Sequence, residues 1–201
     1  MKQFFKVISI IFMPLLIPTY GMLLLVNMDV FSNSSFASKL TAVLGTFLFS
    51  GVLPFIPIFM LVKKNEISDY HISKQEERTF PYIFTFLAYV FLSVFLYRIL
   101  RMPLFITAIS AGSALAVLVV LFINLRWKIS AHLTAMGGLL GAIFCVTFKF
   151  GSNAFIVYII AFLAAALVAL ARIELKAHTK AQTIAGFILG FCCALFPGLF
   201  F

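Results

Sequence analysis

Between residues 171 and 182 the chain reads Ala-Arg-Ile-Glu-Leu-Lys-Ala-His-Thr-Lys-Ala-Gln, set between two long apolar runs. A short polar turn would suffice there, yet the stretch carries Arg172, His178 and Gln182. A guanidinium presents fixed donors to an anion, and an imidazole can hold or move a proton near neutral pH. His178 and Gln182 are four positions apart, so a helix beginning near His178 brings the amide within reach of the ring. A second stretch, Arg126-Trp127-Lys128-Ile129-Ser130-Ala131-His132, leads into an apolar run through Met136-Gly137-Gly138. Ser130 has the chemistry of an N-cap, and a helix start offers free N–H groups and a dipole to an anion. A third stretch, from Lys63 to Pro81, contains Lys74 and Arg78, which share one face at i and i+4 if the loop is helical. A solvated charged loop with Glu–Arg pairs is the alternative explanation.

The solvent for these groups is a bilayer. Of 201 residues, 64% are hydrophobic and 10% charged, and the mean hydropathy is +1.16. Soluble domains carry about 25% charged residues. Seven apolar segments, at about 7 to 28, 40 to 62, 80 to 100, 103 to 123, 131 to 148, 154 to 171 and 182 to 201, approach or exceed the roughly 20 residues that cross a membrane. An all-α, polytopic transmembrane bundle is expected over residues 1–201, with seven spans, or six, and no soluble domain. Met1 to Met28 begins like a signal peptide but is long, holds Pro14 and Pro18 and lacks a small-x-small cleavage site, so it is read as a retained first span. Cys145, Cys192 and Cys193 have no ligand spacing, so neither a metal nor a cofactor is expected.

Seven spans place the three breaks richest in ionisable residues, Lys63 to Thr79, Asn124 to Ser130 and Arg172 to Ala181, on one face with the N-terminus. That face takes eleven of the fifteen basic residues, leaving Lys39, Arg98, Arg101 and Lys149 opposite. It also takes five of six acids and all three histidines, His71, His132 and His178. The positive-inside rule accounts for the cations and puts this face in the cytoplasm. Acids and histidines are not part of that rule, so an anion site is a second explanation. The net charge of +9 then points to topology and anionic lipid headgroups as partners, not to nucleic acid.

The arginine, five residues, histidine and three residues before Gln182 resemble the third signature of the type 2 phosphatidic acid phosphatase (PAP2) superfamily, Ser-Arg-x5-His-x3-Asp, with Ala171 and Gln182 in place of serine and aspartate. Ile129-Ser130-Ala131-His132 resembles the second signature, Pro-Ser-Gly-His, at serine and histidine. Two spans separate the two stretches, as in the family. The first signature, Lys-x6-Arg-Pro, has only an echo around Arg78: His71 stands where the lysine is expected, and the proline, Pro81, follows three residues later. The resemblance covers about residues 63–201.

The resemblance implies a PAP2-like core and a lipid-phosphate phosphatase without a metal. In that scheme His178 attacks phosphorus, giving a phosphohistidine, and His132 protonates the departing group and then activates water. Arg172, Arg78 and Lys74 neutralise the phosphoryl oxygens, Ser130 and nearby amides donate hydrogen bonds, and Gln182 orients His178 without the charge of the family's aspartate. Glu76, Glu77 or Asp69 is left to supply that charge. Polyprenyl diphosphate, phosphatidic acid, phosphatidylglycerol phosphate or a lipid A phosphate fits. Gln182, Ala131 and the broken first signature equally suit a noncatalytic PAP2-like protein that binds or moves an anionic lipid. A channel is disfavoured, because nearly all ionisable residues sit in the connections. The family implies a bacterial inner membrane with the motifs facing the periplasm, against the cytoplasmic side given by charge.

Overall fold

The computed structural model describes residues 1–151 and 153–201; residue 152, within the expected Lys149 to Asn153 break, lies outside them. Every long element among the described residues is helical, since in hydrocarbon only a helix satisfies its backbone N–H and C=O groups within one segment. Six helical stretches are long and apolar enough to cross a membrane: Phe36–Lys63, Glu76–Ile99, Leu104–Asn124, Ala131–Phe150, Phe155–Glu174 and Lys180–Phe200. The chain is a multi-pass membrane protein.

The expected first span, 7 to 28, is instead two short helices, α1 (Lys2–Ile11) and α2 (Ile17–Leu25). Pro14 has no N–H, and its ring would strike the carbonyl of Ile10 in a continuous helix. The chain turns there, and Tyr20 donates its hydroxyl to the Ile11 carbonyl at 3.0 Å. Neither piece is long enough to cross, so six spans replace the seven. The first full span combines α3 (Phe36–Phe47) and α4 (Leu53–Lys63) through a wide turn at Leu48–Val52, just ahead of Pro54. Next come α5 (Thr79–Val94), α6 (Leu104–Asn124), α7 (Ala131–Phe150), α8 (Phe155–Glu174) and α9 (Lys180–Phe200). Alternation of the six brings the connections α4–α5, α6–α7 and α8–α9 to one end of the bundle.

Helix α9 is the keystone. It packs along both α7 and α6, while α6 and α7, although consecutive, barely meet. Small residues allow the closest approach: a Cβ on Gly190 would collide with the Thr134 carbonyl, and one on Gly137 with the Phe187 carbonyl. On the other side α5 lies along α6, and α2 crosses α7 and α3. The gap between α2 and α7 on one side and α5 and α6 on the other holds a cavity.

Candidate anion-binding site

The Arg172-to-His178 spacing is folded into a tight helix end. Lys176 takes a left-handed conformation, φ 54°, as the residue after the cap of α8. Lys176 N–H donates to the Ile173 carbonyl at 2.9 Å and Ala177 N–H to the Arg172 carbonyl at 3.0 Å, the Schellman pattern. His178 N–H also reaches the Arg172 carbonyl, at 3.2 Å. The turn therefore returns the imidazole to the arginine's own end of α8. Thr179 then caps α9: its hydroxyl accepts from Gln182 N–H at 3.3 Å, and Gln182 Oε1 accepts from Thr179 N–H at 3.1 Å.

Gln182 Oε1 also lies 3.2 Å from His178 Nδ1, and the Lys128 carbonyl lies 3.3 Å from the same nitrogen. Both oxygens are acceptors here, so the ring proton belongs on Nδ1 and the lone pair on Nε2. Burial first, then the charges of Arg78 and Arg172, hold His178 down at about 3, against 6.5 for a free imidazole; the bond to Gln182 works the other way. At neutral pH the ring is uncharged. The same neighbourhood lowers the Lys128 ammonium, by burial and then by Arg78 and Arg172, with Glu76 and Asp69 opposing.

Arg78, Arg172, His132 and His178, each only 5% to 7% exposed, line the mouth of one cavity of about 210 Å³. Arg78 is tethered from its own loop, its Nε donating to the Ile72 carbonyl at 2.9 Å and one terminal nitrogen to the Ile129 carbonyl at 3.4 Å. Ile72 has φ 49°, a costly conformation for a β-branched residue, and its side chain is buried with Ile58 and Ile67. Gln75 and Asn124 clamp the loop onto the end of α6 with reciprocal bonds of 2.6 and 3.0 Å. Arg172 differs: its buried Nε has no hydrogen-bond partner. Among the described residues the one ion pair is Lys74–Glu77, so neither buried arginine faces a carboxylate at contact distance. Two guanidiniums at a cavity mouth with no carboxylate in contact can hold an anion.

His132, in the first turn of α7, has Nε2 3.1 Å from the Ser9 carbonyl of α1. That carbonyl can only accept, so Nε2 carries a proton and Nδ1 is the exchangeable atom. Ser130, fully buried, caps α7 by accepting from Leu133 N–H at 3.4 Å and does not line the cavity. The neighbouring Ala131 and His132 do line it, and among the described residues their N–H groups have no helical acceptor. The Ser130 hydroxyl, spent on the cap, is not among the groups that line the cavity.

Lys74 does not join the group. It is 64% exposed by side chain and pairs with Glu77 at 3.1 Å, because only Glu76–Arg78 of this loop is helical, a single tight turn that leaves Lys74 pointing to water. Nor does an acid replace the charge that Gln182 lacks. Glu77 Oε2 is spent on Ser68, at 2.9 Å to N–H and 2.8 Å to the hydroxyl, and Asp69 accepts from His71 N–H at 2.7 Å and Ser73 N–H at 3.3 Å. Glu76 is exposed and makes no hydrogen bond to His178. His71, standing in the first signature's lysine position, does line the cavity, as does Tyr82. Tyr82, the Lys128 carbonyl and the Ser9 carbonyl were not legible as site groups, since nothing in their local pattern differs from ordinary helix ends. No group of three metal-binding side chains occurs among the described residues. No family model matches the chain, and no curated protein or solved structure matches it.

Proposed function

We propose that the protein is a lipid-phosphate phosphatase with a PAP2-like core, working through a phosphohistidine on His178. The observation that carries this is the pairing of Arg78 and Arg172, buried and without carboxylate partners, with an uncharged imidazole whose Nε2 bears the lone pair. Phosphoryl transfer needs charge on the equatorial oxygens, an in-line nucleophile and a proton for the leaving oxygen. Arg78 and Arg172 supply the first, with the Ala131 and His132 amides beside them. Nε2 of His178 attacks phosphorus as the bond to the lipid oxygen breaks, and the proton carried by the substrate's phosphate monoanion passes through Nδ1 of His132 to that oxygen. Water then attacks the phosphohistidine, its proton passes through Nδ1 of His132 to the departing phosphate, and both rings are restored. Gln182 fixes the tautomer but lends no charge, which predicts slow turnover; loss of an orienting carboxylate costs about 10⁴ in a serine-protease triad.

The same substitution favours a second reading, a noncatalytic binder of anionic lipid. Purified protein in bilayer discs, given polyprenyl diphosphate or phosphatidic acid, separates the two: phosphate release is expected from the native chain and a loss of about 10³-fold or more from His178→Ala. Equal release from both, or none from either while the lipid still binds, selects the binder. The proposed location is a bacterial inner membrane with the motif end in the cytoplasm, where the charge rule puts it. Labelling of Ser73→Cys by an impermeant maleimide from the periplasmic side would reverse that assignment.

A further inference from the structure

The cavity does not stop at its charged mouth. Along α5 and the wide turn Phe95–Ile99 that continues it, the wall is Pro81, Thr85, Tyr89, Leu92 and Leu96, a helical stripe of i, i+3 and i+4 positions. From Pro81 to Leu96 is 15 residues, about 22 Å at about 1.5 Å per residue, against a hydrocarbon core of about 30 Å. The volume of about 210 Å³ is spread along that length, so the cavity is a narrow slot and not a round chamber. Gly21, Gly138 and Ala116 sit in the facing walls, where larger side chains would fill the space.

Of the hydroxyls along the way, Ser110 accepts from Ser93 on α5 at 3.0 Å and three others are turned back on their own helices. Thr85 donates to the Pro81 carbonyl at 2.7 Å, Ser113 to Ile109 at 3.1 Å and Thr134 to Ser130 at 3.0 Å. They offer an occupant little beyond apolar contact. Empty space of this size is costly in a packed interior, and here it is cationic at one end and apolar along the rest. We infer that one long hydrocarbon chain of an anionic phosphate lipid lies inside the bundle, its phosphate at Arg78 and Arg172 and its far end beside Leu96, Ile106 and Ile109. This rests on the phosphate site proposed above, and it selects single-chain lipids such as a polyprenyl phosphate over two-chain phosphatidic acid.

The test uses the native chain in bilayer discs and hexadecyl monophosphate bearing a diazirine on its last carbon, with photolabelled residues mapped by mass spectrometry and phosphate release read in the same samples. Label is expected around Leu96, Ile106 and Ile109, reduced at least fivefold by excess unlabelled hexadecyl phosphate and at least tenfold less well by butyl phosphate. Label confined to the outward-facing Phe91, Leu115 and Phe122, no label at all, or deep label that competitor leaves in place overturns the inference. Phosphate release without deep label removes the chain slot and keeps the phosphatase. Deep, competed label without release keeps the slot and removes the phosphatase.

Discussion

The two ends of the bundle use the same residue types to different effect. At the end away from the motifs, Arg98, Arg101 and Lys149 are exposed, with Arg98 5.4 Å from the Tyr97 ring centre and Lys149 5.7 Å from that of Phe105. Their apolar stems lie along the bundle and their charges reach water, as snorkelling predicts. At the motif end most cations are exposed as well, but Arg78 and Arg172 are turned inward and sealed among helix ends. Topology requires only that positive charge stay on one side of the membrane; it gives no reason to bury a guanidinium. Burial without a contacting carboxylate is thus the feature of this end that a topology signal leaves unexplained.

The sharpest way to break that contrast is to remove arginines from both ends. Arg78→Ala or Arg172→Ala is expected to lower phosphate release about 10²- to 10³-fold, the scale of losing one preorganised donor to a transition state, while Arg98→Ala and Arg101→Ala change it less than about 2-fold. Comparable losses at the two ends would reduce the buried pair to structure.

A smaller effect sharpens the comparison through the α7–α9 seam. A Cβ on Gly186 would sit 2.6 Å from the Ser130 carbonyl, a backbone atom in the connection that carries His132. A Cβ on Gly198, at the other end, would meet Cys145 Sγ at 2.7 Å and Ile109 Cγ1 at 2.8 Å, both side-chain and not backbone atoms. Gly186→Ala is expected to cost about 1–3 kcal/mol in thermal unfolding and to reduce turnover, while Gly198→Ala costs less and leaves turnover intact.

The smallest effect is in pH. His178 is held near 3 in the folded chain against 6.5 when free, so between those values the unfolded chain binds the extra proton and stability falls as pH falls. Relative to pH 7.5, the unfolding midpoint at pH 5 is expected to drop by the equivalent of about 2 kcal/mol at most, and His178→Gln should flatten the dependence. An equal slope in that variant would assign the acid sensitivity elsewhere.

Much of this protein could be read before any coordinates. Hydropathy and length determine a helical membrane bundle, because hydrocarbon leaves the backbone no other way to satisfy itself. Parity of the spans puts the three polar connections at one end, and it survives the change from seven spans to six because two spans still separate each connection from the next. The four-residue spacing of His178 and Gln182 puts ring and amide together, a matter of helix geometry alone. Pro14 was visible, yet whether a proline bends a span or breaks it depends on what its neighbours offer the freed carbonyls, and here Tyr20 takes one of them.

What only the tertiary structure decided is which charges are turned inward. Lys74 and Arg78 stand four residues apart in one loop, but one is paired in water and the other buried, because the strained Ile72 carbonyl and the Gln75–Asn124 clamp hold the loop in a shape that no local pattern encodes. The narrow slot between α2, α5, α6 and α7 arises because α9 holds α6 and α7 apart, a contact between chain segments remote in sequence. Periodicity determines what each helix can present; the assembled bundle alone sets the field and the space that its side chains share.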